Sequence, residues 1–258
     1  MNLLKSLCLT CIAALLSFSS SAQCNPEPTL DSSHIIPNGA ITTAAQSGNI
    51  LYVSGSFSVF GNYTGSSIGI DINTSKPVFS NWPIVRGKVN KVIPDGNGGW
   101  YIGGDYHKIG DSLRDHLAHV DANGNVTAWN AQLSSVWYTY NHWVNDLYIA
   151  DSILYVGGHF NTFLGDTVAN LAAVNINTGQ LATHQWRVAG DVTEITSLNN
   201  VLYLIGQFGQ IGDSNRQKVA AVDRLSGQIL PWDPNVIGSR VNNMMMLNNR
   251  LFIAGWFT

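Results

Sequence analysis

A seven-residue segment occurs five times in this sequence, and this repetition limits the possible folds more than any other feature. Its clearest copy, at residues 154–160, is Leu-Tyr-Val-Gly-Gly-His-Phe. The copies begin at Leu51, Trp100, Leu154, Leu202 and Leu251, so the repeat is 48 to 54 residues long. Self-similarity with a period near 50 residues is typical of propellers, solenoids and arrays. The repeat therefore predicts a scaffold built from one unit used several times.

Each unit carries three further recurring elements around this segment. A Val-Asn or Val-Thr pair precedes it, a segment like Leu-Ala-Ala-Val-Asp follows it, and a glycine turn and a tryptophan close the unit. The pairs begin at Val89, Val144, Val192 and Val241, the later segments at Leu117, Leu171 and Val219, and the tryptophans are Trp82, Trp129, Trp186 and Trp232. We predict four hairpin-linked strands per unit, which is the content of a propeller blade and too much for one solenoid coil.

Composition agrees with an all-β fold. Glycine occurs 25 times, and Trp, Tyr and Phe make up 10% of the chain, which favours strands and tight turns over helices. In the recurring strand, Leu154 and Val156 point to one face and Tyr155 to the other. Because both faces are apolar, each sheet must be covered on both sides, as stacked blades would be.

The chain begins with the pattern of a secretory signal. Lys5 precedes an apolar run over 7–16, and small residues end the segment, so we predict a signal peptide at 1–22. Cys24, which follows it, is free, paired or lipidated. The predicted parts are a signal peptide at 1–22, a lead segment at 23–40, and a β-propeller at 41–258 with blades at about 41–88, 89–143, 144–191 and 192–240 and a partial fifth at 241–258. Because the fifth unit stops after two strands, we expect the chain to be the front part of a longer protein.

These elements together resemble the delta-sixty-type repeat of secreted bacterial β-propellers. The resemblance covers residues 41–258 and rests on the Val-Asn pair, the Leu-Tyr-Val-Gly-Gly-x-Phe strand, the Leu-Ala-Ala-Val-Asp strand, the Thr-Gly turn and the tryptophan. A looser similarity links the unit to fungal cell-surface cortical-marker propellers. The resemblance implies an exported β-propeller and a place outside the cell or on its surface. It does not imply an activity.

Four motifs that could carry chemistry have a simpler structural interpretation. Ser67 lies in a G-x-S-x-G pattern, but in an inter-strand loop without the strand-to-helix elbow that a nucleophile needs. His116 and His119 are three apart in a predicted strand, which directs them to opposite faces. The Asp121 segment resembles the start of a calcium loop but lacks the distal Glu. Galactose-oxidase chemistry needs a cysteine within the blades, and Cys24 precedes them. We therefore predict no catalytic set, no metal site and no cofactor.

Two features are candidates for recognition. The first is the residue that varies after the glycine pair, namely Ser56, Asp105, His159, Gln207 and Trp256. The second is a longer connection before Val144 that contains Trp137, Tyr138, Tyr140 and His142. Its aromatic side chains are exposed, or Trp137 and Trp143 fold back over the core. Loops on rigid scaffolds commonly carry function, and aromatic rings suit sugar stacking or protein contacts. The predicted ligand residues are Asp105, His159, Gln207, Trp137, Tyr138, Tyr140 and His142.

Charge and composition limit the classes of binding partner that this chain can have. Lysine and arginine are scattered and the formal net charge is −3, which argues against nucleic acid. No second apolar segment could cross a membrane after signal cleavage. We expect a secreted or cell-surface, non-catalytic binding or adhesion module for a glycan or a surface protein. The alternatives are a propeller-fold hydrolase or oxidoreductase whose active residues lie largely outside this chain or in the central funnel, and a structural spacer.

Overall fold

The computed structural model describes residues 37–60, 62–78, 82–134 and 142–258, and they form an all-β structure. The described part contains no helix long and apolar enough to cross a membrane. The strands are, in chain order, β1 (Ile41–Ser47), β2 (Ile50–Gly55), β3 (Val59–Phe60), β4 (Asn62–Tyr63), β5 (Ser67–Asp71), β6 (Pro77–Val78), β7 (Val85–Pro94), β8 (Trp100–Ile109), β9 (Ser112–Leu113), β10 (Leu117–Val120), β11 (Trp143–Ala150), β12 (Ile153–His159), β13 (Thr162–Phe163), β14 (Asp166–Thr167), β15 (Leu171–Asn175), β16 (Val188–Leu198), β17 (Val201–Ile211), β18 (Ser214–Asn215), β19 (Val219–Asp223), β20 (Gly238–Leu247) and β21 (Arg250–Phe257).

Several sequence predictions fall on residues that are not described. The signal peptide at 1–22, Cys24 and most of the lead segment at 23–40 lie outside the described residues, as do Trp137, Tyr138 and Tyr140. These stay predictions from the sequence.

Each repeat unit forms one antiparallel sheet, and we number these sheets 1 to 5. Sheet 1 has the order β1-β2-β5-β6, sheet 2 the order β7-β8-β10, sheet 3 the order β11-β12-β15 and sheet 4 the order β16-β17-β19, while β20 and β21 form sheet 5. The Val-Asn strand is thus the first strand, the glycine-pair strand is the second, and in sheets 1 to 4 the second strand pairs on both sides. The predicted strand order within a unit is confirmed.

The predicted fourth strand is largely absent from the described residues. Sheet 1 has the two-residue strand β6, whereas sheets 2 to 4 have only a single bridge each, at Val126, Leu181 and Ile229. Additional strand pairing instead occurs in the connection between the second and third strands. There β3 with β4, β8 with β9, β13 with β14, and β17 with β18 form short hairpin arms.

Neighbouring sheets pack face to face in chain order. The first strand of each later sheet lies against the sheet before it, as β7 does on β1 and β2, and β16 on β11 and β12. Leu154 and Val156 pack in one core with Tyr101 of sheet 2, while Tyr155 packs in another core with Leu202 of sheet 4. The expectation that both faces of this strand are covered is confirmed. Burial of each such side chain contributes roughly 1.5–3 kcal/mol.

The Val-Asn pair has a clear structural role. The valines are buried, and the amide group of Asn90 donates to the carbonyl of Val144 in the next sheet, at 2.8 Å. Asn145 donates in the same way to Val192, at 2.9 Å. In sheet 1 the hydroxyl of Thr42 does so to Val89, at 2.5 Å. In sheets 1 to 3 one polar side chain therefore ties the first strand to the next first strand, whereas Thr193 of sheet 4 donates to Ile205 of its own sheet.

The tryptophans near the unit ends connect sheets at the opposite edge. The indole of Trp129 donates to the carbonyl of Gly179 in sheet 3, and that of Trp186 donates to Gly227 in sheet 4. Trp82 bonds within its own unit, to Ser67, and Trp232 is 40% exposed. The turn glycines have positive φ, which is why glycine recurs there.

Sheet 5 exposes one face. Met245 and Phe252 are paired across β20 and β21 and are 44% and 48% exposed. The equivalent of Phe252 in sheet 3 is Tyr155, which is 2% exposed because sheet 4 covers it. The other face of sheet 5 packs on sheet 4 through Val241 and Met244.

Candidate functional site

A bulge in the first strand of each sheet brings the variable residues to the same edge of successive sheets. The pairing register shifts beside Val89, Val144, Val192 and Val241, opposite the glycine pair. At the second glycine of the pair, an added Cβ would lie within 2.0 to 2.3 Å of a carbonyl oxygen on the first strand, at Gly55, Gly104, Gly158, Gly206 and Gly255. This close approach, and not a positive φ, requires glycine. The next residue then emerges at the junction with the following sheet.

The first and fourth junctions hold open recesses. The first recess has a volume of about 450 Å³ and is lined by Ser56 together with Arg86 and Lys88 of sheet 2. The fourth has a volume of about 550 Å³ and is lined by Gln207 together with Arg240 and Trp256 of sheet 5. Trp256 is 68% exposed, and the guanidinium carbon of Arg240 lies 4.9 Å from the centroid of its ring.

The third junction holds an imidazole–carboxylate pair. His159 Nδ1 lies 2.5 Å from Oδ1 of Asp191 in sheet 4, and its ring stacks on Trp143 with centroids 4.9 Å apart. The partners of His159 are thus already supplied by the protein.

The second junction gathers the largest group of ionisable side chains. His107 and Asp115 lie on the hairpin arm of sheet 2, and His107 Nδ1 is 2.8 Å from Asp115 Oδ1. The ring of His116 lies between those of His107 and His142, with centroids 4.9 and 4.4 Å away. Asp105 Oδ1 is 3.7 Å from His116 Nδ1. We name His107, Asp115 and His116, with the neighbouring Asp105 and His142, the histidine cluster.

His116 is unusual within the histidine cluster. It is 1% exposed, and neither ring nitrogen has a hydrogen-bond partner among the described residues. Burial lowers the pKa of His116 to about 4, and the nearby imidazoles of His142 and His107 add to the lowering. Burial also lowers the pKa of His142, whose buried Nδ1 has no partner within the described part of the chain either. A buried polar atom without a partner costs about 1–3 kcal/mol, so this arrangement calls for an explanation.

The structure brings some predicted ligand residues together and separates others. Asp105 and His142 both lie beside His116, His159 lies at the next junction and Gln207 at the fourth. His142 is 7% exposed, so it is not the exposed loop residue that one interpretation of the insertion predicted. Sequence reasoning missed His107 and Asp115. These two residues come together through the hairpin pairing of β8 with β9. This pairing places Arg114, which precedes Asp115, opposite His107.

The other sequence candidates have structural partners. His119 lies apart from His116, because its Nε2 bonds to Asp95 at 2.9 Å and its ring stacks on Tyr101. Ser67 is 1% exposed and accepts a hydrogen bond from Trp82. Asp121 accepts the backbone N–H groups of Asn123 and Asn125, and Asp71, Asn175 and Asp223 cap equivalent turns.

A row of charged side chains lies on the first strands of sheets 2 to 4, two residues after Val89, Val144 and Val192. Lys91 Nζ lies 2.7 Å from Asp146 Oδ1, and Asp146 Oδ2 accepts the N–H of Ile195 at 2.7 Å. Glu194 Oε2 accepts the N–H of Met244 at 2.6 Å. Each carboxylate therefore binds the backbone of the next sheet. If active residues lay in a central funnel, this row is where we would look for them. The contacts of Lys91, Asp146 and Glu194 instead connect neighbouring sheets.

We expect Glu194 to make stability depend on pH. Burial raises its pKa to about 7, and the charge of Asp146 adds to the rise, while the Met244 N–H and Lys91 oppose it. In the unfolded chain the carboxyl has its ordinary value of 4.5. Between these values the folded state holds the additional proton, so the free energy of unfolding should fall as pH rises from 4.5 to 7.

Glu194→Gln keeps an acceptor for Met244 and removes the titration. Urea unfolding over this pH range should therefore give a flatter profile for the variant, and a variant more stable than the wild type at pH above 7. Equal slopes for the two proteins would contradict the prediction. The pKa of Asp146 is raised by burial as well, so some slope should remain in both.

Comparison with known proteins finds likeness only among solved structures, because no family model and no curated protein matches the chain. The computationally designed protein Ika8 is 16% identical and aligns over 83% of this chain and 67% of its own, with a TM-score of 0.48. The designed protein Ika4 is 17% identical over 70% of this chain and 96% of its own, with a TM-score of 0.44. The β-propeller domain of Cps50 (Swd1) from Myceliophteria thermophila is 12% identical over 79% and 71%, with a TM-score of 0.36. All three TM-scores are below 0.5, so the description of the fold rests on the sheets themselves.

Proposed function

We propose that this chain is an exported β-propeller of the delta-sixty repeat type that binds a glycan without transforming it. In this proposal each sheet is a blade, with four complete blades and a fifth of two strands. Support for a propeller comes from five units that follow one another as face-packed antiparallel sheets with one strand order. Support for export comes from the signal pattern at residues 1–22. A place outside the cell or on its surface suits a module that recognises a surface sugar.

The observation that carries the binding proposal is the exposed ring of Trp256 above the fourth recess. An exposed indole offers an apolar face on which a sugar ring can stack. Gln207, Ser239 and Asn242 line the same recess and offer amide and hydroxyl groups for sugar hydroxyls. Arg240 adds a planar guanidinium that pairs with carboxylates. These groups favour an acidic glycan, such as one that contains uronic acids, over a neutral one.

The proposal predicts that binding depends on Trp256. On an array of acidic and neutral glycans, the protein should bind acidic members, and Trp256→Ala should weaken that binding at least tenfold because the stacking surface is lost. Trp232→Ala is the matched control, since Trp232 is also exposed but contacts Tyr203 away from the recess. Its binding should equal that of the wild type.

Each other outcome favours a different function. If no glycan binds, or if Trp256→Ala binds as well as the wild type, the proposed site is wrong. Turnover of a bound glycan would favour the hydrolase alternative. A protein that binds neither glycans nor surface proteins would favour the spacer.

A further inference from the structure

We propose that the histidine cluster at the second junction binds a divalent transition-metal ion of the zinc type. The ligands are His107, Asp115 and His116, whose ligand atoms all lie within 4.8 Å of one another. Two imidazoles and a carboxylate are the donor types that Zn²⁺ takes in proteins. This site is separate from the proposed glycan recess, which lies at the fourth junction.

The buried ring of His116 is the observation that separates this group from an ordinary surface ion pair. A hydrogen bond between His107 and Asp115 on an exposed hairpin needs no metal. It does not explain why His116 is 1% exposed and why, within residues 37–60, 62–78, 82–134 and 142–258, both of its ring nitrogens and one nitrogen of His142 are buried without a hydrogen-bond partner. A metal ion bound to His116 would satisfy one of these atoms.

The geometry needs only small side-chain movements. Zinc–nitrogen and zinc–oxygen bonds are about 2.0–2.2 Å long, so ligand atoms of a tetrahedral site lie roughly 3.4 Å apart. His107 and Asp115 are exposed and can turn towards the fixed His116. His107 Nδ1 and Asp115 Oδ1 are 2.8 Å apart, so the bound ion would take the place of the proton that these two atoms share, and that proton would pass to solvent. Solvent can reach the ion from their side.

Neighbouring groups suit the fourth position and the outer shell. His142 lies behind His116, with ring centroids 4.4 Å apart, and a water or His142 can complete the coordination. Asp105 lies 3.7 Å from His116 and adds negative charge near a cation. The imidazole donors disfavour Ca²⁺ and Mg²⁺, which prefer all-oxygen sites.

Titration of the full chain without a histidine tag tests the site. By calorimetry with Zn²⁺ in a non-chelating buffer, the wild type should bind one ion per chain, and Ca²⁺ should give no heat. His107→Ala and Asp115→Asn should each weaken Zn²⁺ binding at least tenfold, since even an outer-shell partner contributes about 10–100-fold to affinity. His184→Ala is the matched control, because His184 is a partly exposed histidine that contacts the carbonyl of Leu225 in another part of the chain, and the affinity of this variant should be unchanged.

A second measurement keeps the result independent of folding. His107 and Asp115 are exposed, so their variants should keep the wild-type circular dichroism and melting temperature without metal. Co²⁺ should give d–d absorption bands in the wild type that are lost in His107→Ala. The proposal is overturned if the wild type binds less than one Zn²⁺ per chain at saturation. It is equally overturned if His107→Ala binds Zn²⁺ as tightly as His184→Ala does.

Discussion

Gly158→Ala is expected to destabilise the protein by about 3 kcal/mol. The new Cβ would lie 2.1 Å from the carbonyl oxygen of Trp143 and 3.0 Å from the Cα of Val144. Both are backbone atoms of a strand that is held by ladder hydrogen bonds and by the bulge. The strand must therefore shift, and it carries the core contacts of Val144 with it.

Thermal and urea unfolding measure this effect. For a folded region of this size, about 3 kcal/mol corresponds to a melting temperature lower by about 6–12 °C. Gly209→Ala is the matched control, since its Cβ would meet only the side chain of Gln217, at 3.5 Å, and its φ is not positive. Its stability should change by less than about 1 kcal/mol. If the two variants have the same melting temperature, the close approach is not what requires the second glycine of the motif.

Asp146→Ala is expected to cost about 3 kcal/mol through a different mechanism. Its side chain is buried and connects two neighbouring sheets, with Lys91 on one oxygen and the N–H of Ile195 on the other. Removal leaves that N–H without its acceptor and the ammonium of Lys91 without its counter-charge. Asp146→Asn keeps an acceptor for Ile195 and loses only the charge, so its cost should be smaller.

The comparison that isolates this effect is Asp111→Ala. Asp111 also accompanies a lysine, since Lys108 Nζ lies 3.7 Å away, but its side chain is fully exposed. Exposed pairs contribute about 0–1 kcal/mol. Urea unfolding at pH 7 should give a larger loss for Asp146→Ala than for either Asp146→Asn or Asp111→Ala. A loss for Asp146→Ala no larger than that for Asp111→Ala would show that the buried connection adds no stability.

Much of the sheet architecture could be predicted because the repeat makes each unit report on the others. Five copies of one strand fixed the number of sheets, and alternation along that strand fixed which side chains pack on which neighbour. The fourth strand was predicted from the turn glycine and the tryptophan. Those residues recur for another reason, since the indoles of Trp129 and Trp186 bond to turn carbonyls of the next sheet. A recurring residue shows that a position matters, but not which contact it makes.

The sheets could be predicted because their residues recur in every unit, and the histidine cluster could not because its residues do not recur. It occurs once, so no register among units draws attention to it. His107 and Asp115 meet only because β8 extends beyond the core and folds back as an arm, and the sequence of one arm resembles ordinary polar loop residues. His116 was considered with His119 three residues on, although its neighbours come from the arm and from the start of the next unit. The variable position at Asp105 and the longer connection that contains His142 were the sequence signals that led to this junction.

The connections through Asn90 and Asn145 have a consequence for how such a chain can change over generations. Each one reaches from a unit to its successor, and Asp146, Glu194, Trp129 and Trp186 do the same. A duplicated copy of an asparagine unit would bring its own amide donor and its own carbonyl acceptor, so this connection could form at both new seams. The charged connection could not, because Lys91 and Asp146 are different residues at equivalent positions of their units. Duplication of such a unit would therefore keep the asparagine connections and leave the charged ones to be matched again.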